Sequence, residues 1–349
     1  MRWIEFPDDR IVVEGLAWFS ENKPELWRLP ARLRETISPD LWQAGCLPSG
    51  GRLLLKSNTD HVVLRVKYPY TPEALHSPHP LNACPSAAVE IHLGGRVWDI
   101  VAPEKWGETE LVLYKYSGAR MNYFSIYLPL FAQIKIDAIG IDDEAHLSAW
   151  TPSYALEDPL VFYGSSITHG VSASRPSLTY PARIAEKMNL GHINLGFSGL
   201  ALAEKEIAQC MAEINAACYV ICIGENLFGR GEYEVMEERF GPFIHILRRA
   251  HPAIPIVCLT PIHSLTERHG LAPGGYMLED YRIVVRKEVA DRRSAGDQNL
   301  WIVEGLDILG LESTEGLADQ MHPNDLGFNS FVQRLEPILS SILFTNSQD

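Results

Sequence analysis

Four short stretches of this sequence carry side chains able to do acyl chemistry, and they lie far apart in the chain. The first is Gly164-Ser165-Ser166, reached at the end of the apolar run Leu160-Val161-Phe162-Tyr163 and followed by Ile167-Thr168-His169-Gly170. A serine at such a strand-to-loop-to-helix junction can expose its hydroxyl while its backbone N–H points into the same space, and nucleophilic acyl transfer needs both. The second stretch, Asn194-Leu195-Gly196-Phe197-Ser198-Gly199, and the third, Gly224-Glu225-Asn226, each follow another apolar run. The fourth, Asp319-Gln320-Met321-His322-Pro323-Asn324-Asp325, sets a carboxylate three residues before an imidazole. Each has a plainer explanation: the glycines as turns, Asn226 as a turn or cap residue, His322 as the polar lead-in to a helix that starts after Pro323. Together they supply a nucleophile in Ser166, a base in His322 with Asp319 as its carboxylate, and two backbone or amide donors around Gly199 and Asn226. That conjunction outweighs the separate explanations.

The elements needed to bring these residues together are visible in the pattern after Leu160. Strands are expected at Leu160–Tyr163, Ile193–Leu195, Tyr219–Ile223, Ile254–Leu259 and Leu300–Val303, alternating with helices at Leu178–Met188, Leu202–Ile214, Tyr233–Arg249, Tyr281–Arg293 and Asn324–Leu343. Strand and helix in alternation predict a parallel sheet covered on both faces, with ligands bound beyond the carboxyl ends of its strands. The candidate residues follow those ends. Gly241-Pro242 should kink or break the helix that begins at Tyr233.

Before Trp150 the period is different. Candidate strands Ile11–Phe19, Arg52–Ser57, Val62–Lys67, Ala88–Leu93, Val97–Val101, Glu110–Tyr116, Phe124–Leu128 and Ile134–Ile141, with hardly a helical stretch, predict an all-β sandwich of jelly-roll type. Seven of the eight tryptophans fall here, and core filling is a better account of them than a platform for sugar rings. His76, His79 and His92 invite a metal site, but no carboxylate or cysteine cluster at ligand spacing completes one, and His76-Ser77-Pro78-His79-Pro80 reads as a surface loop. The polar and proline-rich passage near Trp150-Thr151-Pro152-Ser153 divides the chain into an accessory domain, 1–152, and a domain bearing the candidate residues, 153–349.

Composition agrees with two soluble domains. The chain has 349 residues, and a net charge of -14 argues against a general nucleic-acid or anionic-membrane binder. No apolar run approaches the roughly 20 residues that span a bilayer. Residues Met1 to Arg10 lack the features of a secretory signal, so a cytoplasmic setting is expected. Six cysteines without paired spacing are expected as free buried thiols.

In these blocks the sequence resembles the SGNH hydrolases, or GDSL-like esterases and lipases. Gly164-Ser165-Ser166 matches their nucleophile block, Gly199 the glycine of the second block, Gly224-Glu225-Asn226-Leu227 the third and Asp319 through His322 the last. Ser165 and Leu227 stand where the family usually has aspartate. A β-sandwich before the hydrolase domain is similar to the arrangement of one subgroup. The resemblance implies a three-layer α/β/α hydrolase domain in which Ser166, His322 and Asp319 are the catalytic residues and Ser166 N–H, Gly199 N–H and the Asn226 amide form an oxyanion hole, with no metal and no cofactor. It implies hydrolysis of a small acyl ester, acetyl on a carbohydrate being preferred. Two other outcomes remain: an acyltransferase with the same residues, or an inactive carbohydrate-binding protein. The loop from His263 to Tyr276, His169 and Arg175 are candidates for lining the substrate site. Self-association into a homo-oligomer is left open.

Overall fold

A computed structural model describes residues 1–69, 87–118 and 120–344. His76, His79 and Cys84 lie outside the described residues. The chain forms two compact units, one of Met1–Arg34, Trp42–Ser153 and Ser174–Ser177, the other of Glu35–Leu41, Tyr154–Ala173 and Leu178–Asp349.

The first unit is built from two antiparallel sheets. One contains β1 (Arg2–Glu5), β4 (His61–Tyr68), β7 (Gly107–Lys115) and β9 (Lys135–Ile141) in the order β1-β9-β4-β7. The other contains β2 (Val12–Glu14), β3 (Arg52–Ser57), β5 (Val89–Leu93), β6 (Arg96–Val101), β8 (Asn122–Tyr127) and β10 (Leu147–Ser148), in the order β10-β3-β8-β5-β6 with β2 paired to β3. Successive strand residues point to opposite faces, so every second residue can enter a shared core. Leu53, Leu55, Ile91, Phe124 and Ile126 do so from one sheet, and Val62, Leu64, Val66, Leu111, Leu113 and Ile139 from the other.

Two expectations for this unit need correction. The strand expected over Ile11–Phe19 is only Val12–Glu14, because Gly15 at φ 80° turns the chain and Phe19–Asn22 then forms a helical turn, α1. A second short helix, α2 (Pro39–Gly45), of which Trp42–Gly45 belong to this unit, stands where none was expected. The tryptophans divide: Trp18 and Trp42 are buried, whereas Trp98 is 45% exposed and packs edge-on against Tyr114 and Tyr116. His92 is a core histidine, 3% exposed, bonded to Glu90.

The second unit is a five-stranded parallel sheet of β11 (Leu160–Gly164), β12 (His192–Gly196), β13 (Cys218–Cys222), β14 (Ile256–Leu259) and β15 (Leu300–Val303), ordered β12-β11-β13-β14-β15. Every residue of β11, β12, β13 and β14 is buried, as expected of parallel strands covered on both faces. Its helices are α3 (Ser166–His169), α4 (Tyr180–Met188), α5 (Lys205–Met211), α6 (Glu225–Arg230), α7 (Tyr233–Ala250), α8 (Leu265–Arg268), α9 (Leu278–Ser294), α10 (Gly305–Ile308) and α11 (Asp325–Phe344). The expected break at Pro242 does not occur, and α7 runs through it. Proline there removes one backbone donor, a local loss outweighed by burying Met236, Phe240, Phe243, Ile244 and Leu247 along one face. Among the described residues no helix is long and apolar enough to cross a membrane.

Candidate active site

The chain leaves β11, crosses to β12 on one side and returns to β13 on the other, so the strand order reverses at β11. Loops at such a reversal diverge and leave a crevice at the carboxyl edge of the sheet. Ser166 follows β11, Gly199 follows β12 and Asn226 follows β13.

Ser166 is the first residue of α3, and Ser165 caps that helix by accepting from Ile167 N–H at 3.4 Å. Ser165 therefore keeps a capping oxygen where the resembling family usually has an aspartate. As the first helical residue, Ser166 has a backbone N–H with no acceptor inside the helix. The helix is fixed from beside it: Asn194 on β12 donates from Nδ2 to Thr168 O at 2.9 Å, and its Oδ1 accepts Gly196 N–H at 2.8 Å. Gly196 permits this close approach, since a Cβ there would come within 2.1 Å of His169 N. The His169 ring accepts Ser198 N–H at 3.4 Å, which ties α3 to the loop bearing Gly199.

Asp319 and His322 meet in a non-helical turn, so their pairing does not depend on the shared helix face that a spacing of three suggests. Asp319 Oδ1 accepts the N–H groups of Met321 and His322 at 2.8 and 2.7 Å, folding the turn around its own carboxylate. Asp319 Oδ2 then lies 2.8 Å from His322 Nδ1, and His322 Nε2 lies 2.9 Å from Ser166 Oγ. An ionised carboxylate only accepts, so the ring proton sits on Nδ1 and Nε2 is left to accept the serine proton. Burial raises the Asp319 pKa, but the His322 N–H, the His322 ring and the Met321 N–H outweigh it and bring the carboxyl to about 2. It is ionised throughout the neutral range. Asn324 closes the region by capping α11, its Oδ1 accepting from Leu326 and Gly327 N–H at 2.9 and 3.1 Å.

Gly199 has φ 73°, a left-handed conformation that glycine adopts without strain, and Arg230 holds its carbonyl at 2.8 Å. Asn226 Oδ1 accepts Ala201 N–H at 3.1 Å, so the amide end left over is the Nδ2 donor. Behind it Glu225 is 2% exposed, with Oε2 unpartnered, and burial raises its pKa. A nucleophile joined to an oriented base, beside donors on the two neighbouring loops, can carry out addition to a carbonyl. Among the described residues no group of three or more His, Cys, Asp or Glu is placed to hold a metal.

Several supporting residues were not singled out from sequence: the positioning role of Asn194, the Thr168–Tyr180 hydroxyl pair at 2.8 Å and the buried Arg282. One signal was present, Ser264-x-x-Glu267, the pattern of a capping box.

Residues 157–340 match the model of the GDSL-like lipase/acylhydrolase family, and residues 1–147 match that of the N-terminus of SGNH-hydrolase-type esterases. The fold is similar to a crystal structure described as a GDSL-like lipase from Bacteroides ovatus, at 25% identity, TM-score 0.85 and 98% coverage of both chains. It is also similar to a salicylyl-acyltransferase from a tetracycline biosynthetic pathway, at 22% identity, TM-score 0.85 and 98% coverage of both chains. An acetyl xylan esterase from Butyrivibrio proteoclasticus shares the fold at 12% identity and TM-score 0.65, covering 98% of this chain and 99% of the other. No curated protein matched the sequence.

Proposed function

Because this chain belongs to the GDSL-like lipase/acylhydrolase family, we propose that it is a serine ester hydrolase in which Ser166, His322 and Asp319 are the catalytic residues. The observation that carries the proposal is the unbroken hydrogen-bonded series from Ser166 Oγ to His322 Nε2 at 2.9 Å and from His322 Nδ1 to Asp319 at 2.8 Å. In the proposed reaction His322 takes the hydroxyl proton as Ser166 Oγ adds to the ester carbonyl. The imidazolium so formed is stabilised by the ionised Asp319. Negative charge on the carbonyl oxygen is met by Ser166 N–H, Gly199 N–H and Asn226 Nδ2. His322 returns its proton to the leaving alcohol, and water, deprotonated by the same imidazole, then releases the acid and regenerates Ser166.

The substrate we propose is a small acyl ester, an acetyl group on a carbohydrate. Support comes from the acetyl xylan esterase of the same fold. The acyltransferase of that fold supports a second reading, in which an acceptor alcohol replaces water in the final step. A cytoplasmic setting belongs to the same proposal, supported by the free and buried thiols of Cys46, Cys218, Cys222 and Cys258 among the described residues.

The test is hydrolysis of p-nitrophenyl esters from acetyl to octanoyl by the wild type and by Ser166→Ala, at neutral pH without added metal. The expected outcome is a rate greatest on acetyl and lost in the variant, by a factor on the order of 10⁴ or more. Equal rates in the two proteins would remove Ser166 from the chemistry. Product partition when acceptor alcohols are added separates hydrolysis from transfer.

A further inference from the structure

The turn carrying Asp319 and His322 is gripped by residues outside the four stretches on which the proposed function rests. Gln320, between the two, has a backbone carbonyl that accepts two hydrogen bonds, one from Leu265 N–H at 2.8 Å and one from the Ser264 hydroxyl at 3.0 Å. Ser264 is 1% exposed and caps α8: its oxygen accepts Thr266 N–H at 3.2 Å, and its own N–H donates to Glu267 Oε2 at 3.0 Å. Glu267 is in turn held two-pronged by Arg282 of α9, Nη1 to Oε1 at 2.7 Å and Nη2 to Oε2 at 2.9 Å. The same guanidinium, 1% exposed, donates to the carbonyls of Pro261 and Ile262 at 2.8 and 2.9 Å. The segment leading from β14 into α8 is thereby fixed through both its backbone and its side chains, and it presents a rigid pair of donors.

The Asp319 turn is closed on itself by its own carboxylate and by Ala318 N–H to His322 O at 2.8 Å. A turn closed in this way keeps its internal shape but can still swing as a unit. Two hydrogen bonds at the carbonyl near its tip oppose that swing. A displacement of about 1 Å between a base and the proton it abstracts is enough to cost up to about a hundredfold in rate.

We propose that Ser264 and the Leu265 N–H form a positioning clamp that holds His322 Nε2 against Ser166 Oγ through the Gln320 carbonyl. The clamp rests on the assignment of Ser166, His322 and Asp319 made above. Ser264 is buried with its hydroxyl turned to the Gln320 carbonyl, so the clamp governs turnover and leaves binding alone.

Two variants remove one donor each. Ser264→Ala deletes the hydroxyl. Leu265→Pro deletes the N–H at the first helical position, where proline is tolerated, and Ser264 at φ -123°, ψ 139° already has the extended backbone that a following proline requires. With p-nitrophenyl acetate, each variant should lower kcat about five- to tenfold while KM stays within about twofold and the unfolding midpoint stays near that of the wild type. In an Asp319→Ala background the further change Ser264→Ala should leave kcat where it is, because the clamp acts only through that turn. Wild-type kcat in both single variants, alongside an inactive Ser166→Ala, would overturn the clamp and leave the site standing. So would a full additive loss in the Asp319→Ala background. A Ser166→Ala protein as active as the wild type would overturn the site and the clamp together. Should Ser264→Ala not fold, Leu265→Pro decides the matter alone.

Discussion

Among the described residues, serine, histidine and carboxylate meet at two places wired in opposite order. In the second unit the imidazole stands in the middle, bonded to Asp319 on one side and Ser166 on the other. In the first unit the carboxylate stands in the middle: Glu90 Oε1 lies 2.7 Å from His92 Nε2 and 2.6 Å from Ser177 Oγ, and Glu90 Oε2 accepts Ser177 N–H at 2.8 Å. Arg175 Nε adds a fourth partner at 3.0 Å. Both carboxyls have pKa values below the usual range for one reason. Burial raises each, and converging donors outweigh it, His92 and Ser177 for Glu90, His322 and Met321 for Asp319.

What differs is which group is left with unused capacity. His322 spends one nitrogen on its carboxylate and offers the other to a serine, so a proton can pass to it as Ser166 reacts. Ser177 donates its hydroxyl hydrogen bond directly to a carboxylate, a weaker base than imidazole, and that carboxylate already accepts from the Ser177 N–H and meets His92 and Arg175. Access differs as well, with side-chain exposures of 18% and 25% for His322 and Asp319 against 4% and 0% for His92 and Glu90. The same residue types thus make a candidate catalytic site in one place and a structural knot in the other. Hydrogen-bond order decides between them.

That contrast can be broken experimentally, beginning with the loss of ester hydrolysis in Ser166→Ala, the largest effect expected. Next comes Glu90→Ala, which leaves the donors of His92, Ser177 and Arg175 facing a void. It should cost about 3–5 kcal/mol of stability, or on the order of 10 °C in the unfolding midpoint of the first unit, read by calorimetry. Because the folded pKa of Glu90 lies below its ordinary value, its ionic stabilisation is present above about pH 4.5 and is lost as pH falls through the folded value. The deficit of Glu90→Ala should therefore shrink as the comparison is moved from pH 7 toward pH 3. An unchanged deficit would mean that packing, not charge, holds the knot.

Asn226→Ala is expected to lower kcat about 10²–10³-fold, since it deletes one donor for the developing oxyanion, and to lower the unfolding midpoint by a few degrees, since it leaves the buried Ala201 N–H without an acceptor. A loss confined to KM would assign Asn226 to ground-state binding. The smallest effect is sought at Glu225, whose buried carboxyl has a raised pKa and one unpartnered oxygen. A raised carboxyl pKa stabilises the fold below its ordinary value and ceases to do so as pH rises through the folded one. Glu225→Gln should accordingly be near neutral at pH 4 and raise the unfolding midpoint at pH 8 by a few degrees, as a pH series of melting curves would read.

Much of the second unit was legible along the chain. The five apolar runs lie within two residues of the five parallel strands, and the helix expected at Tyr233–Arg249 is observed as Tyr233–Ala250. A parallel strand buried on both faces is a continuous apolar run, and a long amphipathic helix repeats its period often enough to be read. The first unit was less legible. β1 at Arg2–Glu5 went unrecognised because its partner is β9, whose Ile141 pairs with Arg2 from the far end of the unit. The knot around Glu90 was invisible for a similar reason: Glu90 and His92 share a face of β5, but Ser177 stands 87 positions later in the chain.

By itself the sequence determined which residues end the strands of the parallel sheet, because apolar periodicity and glycine placement are local properties of the chain. Ser166, Gly199 and Asn226 became candidates on that basis and on resemblance to a family, Asp319 and His322 on their spacing of three and the same resemblance. Tertiary structure decided the wiring: that His322 faces Ser166 while Ser177 faces Glu90, and that Ser264 and Leu265, some 55 residues earlier, grip the carbonyl of Gln320. A hydrogen bond depends on distance and direction between two atoms to within a few tenths of an ångström. Such precision belongs to the packed sheet and helices and has no counterpart in the linear pattern.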